Sequence, residues 1–389
     1  FTGQATRSVE FYTAINRGYG SLDLLDAFMT LNLVESLTNR ASDALTDGND
    51  PYGAQGTGGR TTGDRGRGSD DRLRFRVGRM KTPWLYEYFS IAEGDLIAPE
   101  RSLLASNLAG NRMDGAMFLG ELFDRRLGYA AGIFNGPRRS FGDFNSNKDL
   151  FLYINSRPFL KVESLPFLHY LNIGTSMYGG DEHNPAQPSS FHTASDQTTP
   201  GSEATVASLS PTFLRLNSNV TELGERMQWA AHMAYFYKSF TLLAEGGLGY
   251  QGYSDNSKTS TRVPFSGWMV QSTYFLTGEQ LTRRVNVVRP INRFGYYQGK
   301  LGFGAWEVHA RFSNLQLNNR VFTAGFADPN QWTGLCNIVD VGTNWYWNYY
   351  TKIYFDWQHA FFGSPVTSGP GGHLLSSTDL FWLRFQVFF

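Results

Sequence analysis

The 389-residue chain contains one cysteine, no excess of either charge and no long apolar run. A single Cys cannot build an intramolecular disulfide or a multi-thiolate metal site. With 34 basic and 34 acidic residues, the chain lacks the broad cationic surface that nucleic acids require. No run of about 18 apolar residues encodes a membrane-spanning helix. No basic segment followed by an apolar one opens the chain at Phe1, which reads as a mature or truncated form. Lysine is scarce, with only 7 among the 34 basic residues. What the chain does have is 15% aromatic residues and 42 glycines, too aromatic for disorder. That balance fits an all-β fold with two unlike faces, namely a transmembrane antiparallel β-barrel with an apolar outside and a wet inside.

Periodicity carries the same reading. Segments of roughly ten residues alternate with period two and then break at Gly, Pro, Asn or Asp. In Leu380 to Phe389, Phe381, Leu383, Phe385, Val387 and Phe389 share one face, and Trp382, Arg384, Gln386 and Phe388 share the other. This segment resembles the terminal strand of bacterial outer-membrane proteins, which ends on an aromatic residue. Further strands are expected at Val9 to Ile15, Ser21 to Leu33, Arg72 to Met80, Met113 to Leu122, Arg126 to Phe134, Asp149 to Arg157, His169 to Tyr178 and Thr212 to Asn217. The series continues with Met227 to Tyr237, Phe240 to Tyr250, Ser266 to Leu276, Ala305 to Phe312, Val341 to Tyr349 and Lys352 to Gln358. Bacterial barrels take an even strand number, so about sixteen closes the count. Short links such as Asp124-Arg125, Tyr237-Lys238-Ser239 and Tyr349-Tyr350-Thr351 read as periplasmic turns. Gly179 to Ser208, Ser254 to Thr261 and Gly363 to Ser377 read as outer loops. The whole chain, 1–389, reads as a single domain, with a long polar insertion over 41–70 read as a solvated loop.

The segment Arg72-Leu73-Arg74-Phe75-Arg76-Val77 places three guanidinium groups on one face and three apolar side chains on the other. A charge at the bilayer midplane costs roughly 2–4 kcal/mol, so the arginines must face the lumen. There they form a ladder with a spacing of about 7 Å. Arg311, Lys352 and Arg384 join them on the inward census, against Glu245, Glu307 and Asp356, so the lumen leans positive. The offsetting acidity is expected on loops such as Asp47 to Asp50 and Asp181-Glu182. Pro83 ends the strand and opens a segment, about 82–110, long enough to fold inward and narrow the pore. None of the seven histidines sits in a catalytic motif, and His309 between Glu307 and Arg311 reads as part of a wall network. Gly246-Gly247-Leu248-Gly249 opens no helix and reads as a bend in a strand rather than a phosphate loop. His183 and His192 read as solvated loop residues. No enzyme activity, metal or cofactor is expected.

At Gly78-Arg79-Met80-Lys81-Thr82-Pro83, followed by Pro99-Glu100-Arg101-Ser102, the sequence resembles the phosphate-selective porin O/P family of Gram-negative outer membranes. Four later blocks follow the family's order: Ser266 to Gln271, Tyr274 to Glu279, Gly304 to Ser313 and Gly342 to Asn348. The resemblance covers roughly Leu73 to Phe389. It implies an outer-membrane barrel of about sixteen strands in a lipid bilayer, a homotrimer, and a water-filled channel for passive diffusion of small hydrophilic solutes and anions. By position it implies that Lys81 and Arg101 lie at the constriction and that Tyr86 and Tyr88 line it. Two departures stand out: most of Val34 to Asp71 is inserted where the family has a tight turn, and few lysines are present to make a phosphate-selective lumen. A mild anion preference is therefore expected, with a phosphate or polyphosphate channel, or an envelope scaffold using the 41–70 insertion, as alternatives.

Overall fold

The computed structural model describes residues 2–6, 8–18, 21–34, 71–138, 146–194, 210–255, 259–284, 288–297, 299–367 and 372–388. Among them, fifteen strands form one antiparallel sheet in which each strand pairs with its neighbours along the sequence. They are β1 (Thr2–Thr6), β2 (Val9–Gly18), β3 (Ser21–Asn32), β4 (Arg74–Lys81), β5 (Arg112–Leu122), β6 (Leu127–Phe134), β7 (Asp149–Ser156) and β8 (Leu171–Pro185). After these come β9 (Thr221–Tyr237), β10 (Phe240–Ser254), β11 (Thr261–Phe275), β12 (Ala305–Leu317), β13 (Leu335–Tyr346), β14 (Thr351–Thr367) and β15 (Leu374–Val387). The expected wall strand at Thr212 to Asn217 is absent from the sheet. Thr212–Arg215 instead pairs with Ser190–His192 in a separate ribbon, where Phe213 and Leu214 are both buried and leave no lipid face. The insertion over 41–70, with Asp47 to Asp50, lies outside the described residues.

Alternation sorts the wall as lipid demands. On β12, Val308 is exposed while its neighbours Glu307 and His309 are buried, and β15 exposes Phe381, Leu383, Phe385 and Val387. Backbone groups have no water in the hydrocarbon layer and are satisfied by the ladder between strands. Aromatic side chains collect where strands meet the turns, as in Trp306 stacked on Trp345 at 5.0 Å and Tyr235 on Tyr237 at 6.4 Å. This is the interfacial girdle of a membrane barrel.

The rim that carries the C-terminal end of β15 also holds the short turns after β5, β9 and β13. At the opposite rim, β8 to β15 continue several residues past the expected strand ends. Gly179–Pro185 pairs with Thr221–Met227, so Asp181-Glu182 is strand and not loop, and Glu182 is buried. Apolar alternation fades there although pairing continues, because a wall standing clear of lipid no longer needs an apolar face.

Candidate functional site

The segment between β4 and β5 turns into the space enclosed by the sheet. It holds two short helices, α1 (Tyr86–Phe89) and α2 (Leu103–Leu108), and a 3-10 turn at Glu93–Asp95. Pro83 forces the departure from β4, since it has no N–H to give the ladder. Trp84, Leu85, Leu103, Leu104 and Leu108 are each 1% exposed or less. Burying a large apolar side chain is worth about 1.5–3 kcal/mol, so these residues fix the segment in place.

Polar contacts then tie it to nearly every side of the wall. The Glu245 carboxylate of β10 accepts the first N–H groups of α1, from Tyr86 and Glu87. Leu85 N donates to Ser176 of β8 at 3.1 Å, and Ser90 meets Tyr153 of β7 at 2.8 Å. Across the lumen, Arg311 of β12 donates to Glu100 O at 2.8 Å, Asn344 of β13 to Ile97 O at 2.9 Å, and Lys352 of β14 to Leu96 O at 2.8 Å. Arg384 of β15 reaches Pro99 O and the Glu100 carboxylate. One segment touching β7, β8, β10 and β12 to β15 is possible only if the sheet wraps around it.

The inward face therefore carries many more carboxylates than the sequence census placed there. Asp26, Glu121, Asp149, Glu182, Glu222 and Asp340 all come from strands and are buried or half-buried. Arg311 pairs with Asp340 at 2.8 Å, directly opposite it in the β12–β13 register, and Gln358 supplies the second Asp340 oxygen at 2.9 Å. Glu307 receives Arg284, Thr273, Asn344 and Tyr346. His309 Nε2 meets Asp356 at 2.5 Å, a pair within the wall. On the folded-in segment, burial alone would raise the Glu93 carboxyl. Lys81, Arg112 and Arg101 outweigh burial and hold it well below the usual carboxylate range. Asp95 shows the reverse balance: burial pushes it up to about 7, and the nearby cations Arg284 and Lys352 offset this only in part.

Two glycines in the wall seat α2. A Cβ on Gly247 would lie 3.1 Å from Leu104 Cδ2, and one on Gly267 would lie 3.2 Å from Leu104 Cδ1. Gly246 to Gly249 lie inside β10 and open no helix, and Gly247 gives the wall a close approach to α2. We expect Gly247→Val to lift α2 from the wall and to raise single-channel conductance. Wild-type conductance in that variant would mean that the seat does not set the aperture.

Below the folded-in segment, near the short-turn rim, lies a narrow cleft open to solvent. Arg74, Phe89, Ser90, Glu121, Tyr153 and Asn155 line it. Arg157 pairs with Glu121 there at 2.6 Å, and Arg74 Nε lies 3.8 Å from Asp71. A polar, arginine-bordered cleft between an inward segment and a barrel wall is the architecture of a solute channel.

A family description, phosphate-selective porin O and P, matches residues 61–360. The chain belongs to this family. It is a porin of the bacterial outer membrane, and its sheet is the wall of a diffusion channel. The match begins inside the insertion and stops short of β15, whereas the resemblance in the sequence ran from Leu73 to the C-terminus. Among solved structures, the porin is similar to OmpT of Vibrio cholerae, with 9% identity over 99% of this chain and 85% of that one, and a TM-score of 0.44. It is similar also to an anion-selective porin from Comamonas acidovorans, with 8% identity, 99% and 84% coverage and a TM-score of 0.46. Pseudomonas putida OprB matches with 8% identity, 97% and 76% coverage and a TM-score of 0.45. No curated protein sequence matches.

Within the porin, the expected guiding residues are placed unequally. Arg72 is exposed on the turn before β4, outside the strand, and its carbonyl accepts Tyr129 OH at 2.9 Å. Arg76 faces inward but is spent on Thr30 Oγ1 at 3.0 Å and the Phe28 ring at 4.2 Å. Only Arg74 of the ladder borders the cleft. Lys81 pairs with Glu93 at 3.0 Å, and Arg101 binds Glu87 O and Ile91 O, so both brace the folded-in segment from inside. Tyr86 and Tyr88 are buried rather than lining an opening: Tyr86 packs on His232 at 4.7 Å, and Tyr88 OH donates to Asn111 at 3.1 Å. Arg311, Lys352 and Arg384 do point inward, and there they hold loop carbonyls. The inward side of the wall is packed, so a cation facing it finds a protein acceptor before it finds water.

His192 is likewise buried in the ribbon against Ser190, while His183 is exposed on β8. Arg157, Arg125 and Arg284 were missed as lumen residues. Arg157 follows Phe151, Tyr153 and Asn155 on the inward face of β7, and that alternation could have found it. Arg284 lies in a connection without periodicity and gives no such signal.

Proposed function

We propose that this porin passes small hydrophilic solutes and ions by passive diffusion with a mild preference for anions, and that the preference is set in the arginine cleft. The observation that carries this reading is the inward guanidinium of Arg74, which borders the cleft beside Glu121, with Arg157 paired to Glu121 at 2.6 Å. Arg125 lies 3.8 Å from Glu121, and Arg74 lies 3.8 Å from Asp71, so arginines sit among carboxylates at this end of the lumen. A small positive surplus lowers the entry cost for an anion without binding it too tightly to leave.

The test is a planar-bilayer measurement of conductance and reversal potential in a KCl gradient. A unit charge about 4 Å from an ion in water is worth about 1 kcal/mol, or roughly fivefold in a permeability ratio. Arg74→Gln with Arg157→Gln is expected to shift the reversal potential toward cations by that order per charge at low salt. An unchanged potential removes the cleft from the selectivity mechanism. Titrating phosphate into the same bilayer separates a general anion pore, where chloride current persists, from a phosphate channel, where low phosphate blocks it. Assembly as a homotrimer belongs to the same proposal and is read from the mass of the purified porin in detergent.

A further inference from the structure

The connection from β11 to β12 is long for the short-turn rim, and its path is unusual. It first enters the lumen, where Arg284 binds Glu307 and donates to Asp95 O at 3.0 Å. Farther along, the described residues from Ile291 pack on the outside of the wall and include a small ribbon in which Gly295–Tyr297 pairs with Lys300–Gly302. Its position outside is fixed by the girdle. Phe294 packs at 5.0 Å against Trp345 and at 5.4 Å against Trp347, and Phe294 N donates to Trp347 O at 2.8 Å. The indole N–H groups of Trp306 and Trp345 both donate to Phe303 O, at 3.1 and 2.8 Å. Trp306 and Trp345 alternate with the buried inward residues Glu307 and Tyr346, so they face lipid.

This clamped ribbon leaves its own apolar groups bare. Ile291 is 64% exposed, Tyr296 77%, Leu301 58% and Phe303 62%. Between them stand Arg289, Arg293 and Lys300, all exposed, and residues 288–304 contain no Asp or Glu. Exposed apolar groups of this density call for an occupant. Aromatic rings interleaved with cations, continuous with a tryptophan girdle, match the layer where acyl chains give way to headgroups.

We propose that the 288–304 ribbon is a lipid-docking element that lies in the bilayer interface beside the barrel and binds anionic phospholipid headgroups. Tyr296, Leu301 and Phe303 enter the boundary of the acyl chains, and Arg289, Arg293 and Lys300 meet the phosphates.

The experiment uses the full-length porin carrying Cys336→Ser and a spin label on Tyr296→Cys. It is reconstituted in phosphatidylcholine vesicles with or without phosphatidylglycerol, and collisions with oxygen and with a polar nickel complex report depth. The label is expected to be oxygen-accessible and nickel-shielded, with the membrane-depth population increased by phosphatidylglycerol. Replacing Arg289, Arg293 and Lys300 with Gln is expected to reduce the ratio of membrane to aqueous populations by about fivefold per side chain in the anionic vesicles. These three side chains are exposed, so the barrel still folds. A label that reads as aqueous in both membranes overturns the proposal. So does spin–spin broadening that vanishes on dilution with unlabelled porin, which would assign the surface to a second copy.

Discussion

Arg311→Met is expected to cost the porin about 3–5 kcal/mol, the usual penalty for removing one partner of a buried ion pair. The loss exceeds that of a single hydrogen bond because Asp340 would lose its buried ion-pair partner and keep the Gln358 hydrogen bond. The Glu100 carbonyl would also lose its donor from the wall. Conductance should become noisier, since this arginine ties the stretch before α2 to β12. A double replacement, Arg311→Met with Asp340→Leu, separates the two effects. An apolar pair of similar volume often restores stability, so unfolding in denaturant should return close to wild type while the conductance noise stays. If the double variant is as unstable as the single one, Asp340 is not the source of the penalty.

The second large effect is expected at Arg226. This side chain has no exposed surface and faces three carboxylates: Asp149 of β7, Glu182 of β8 at 2.9 Å and Glu222 of its own strand at 3.5 Å. It also donates to Gly136 O, so one fork joins three adjacent strands and a loop. Arg226→Gln leaves the acids to repel one another, and the penalty is expected to be at least the about 3–5 kcal/mol of a single broken pair. Refolding yield from urea into detergent, read as the heat-sensitive shift in gel mobility, should fall sharply at neutral pH and recover in part under acid. Arg226→Lys keeps the charge but not the planar fork and should fall between the two. Wild-type yield for the lysine variant would show that charge alone suffices.

Most of the wall was legible because lipid imposes a strict rule on it. A strand such as Ala305–Leu317 must put Trp306, Val308 and Phe312 outward, and that leaves Glu307, His309 and Arg311 only one direction to face. The strand ends were not legible where that rule lapses. Gly179–Pro185 pairs normally but carries no apolar stripe, and Thr2–Thr6 has too few apolar residues to show one. The site was half-legible. Alternation gives the direction in which Arg76 or Lys352 points, but it says nothing about what occupies the space ahead. Whether such a cation meets water, a carboxylate across the register or a carbonyl of a loop from a distant part of the chain depends on contacts such as Lys352 with Leu96, 256 residues apart. The cleft emerged only once those claims on each cation were known.

The unequal strand lengths have one more consequence. At about 3.4 Å per residue, the eight residues of β6 or β7 reach about 27 Å before tilt, and the seventeen of β9 or β14 reach about 58 Å. A barrel's apolar band is about 25 Å tall, so β6 and β7 are used up by the bilayer while the other half continues as a parapet. A solute arriving at that rim meets a wall of unequal height, its polar rampart standing on the side of β8 to β15. The low side, β6 and β7, adjoins β4 and β5, and together these strands hold Arg74, Glu121 and Asn155 at the far end.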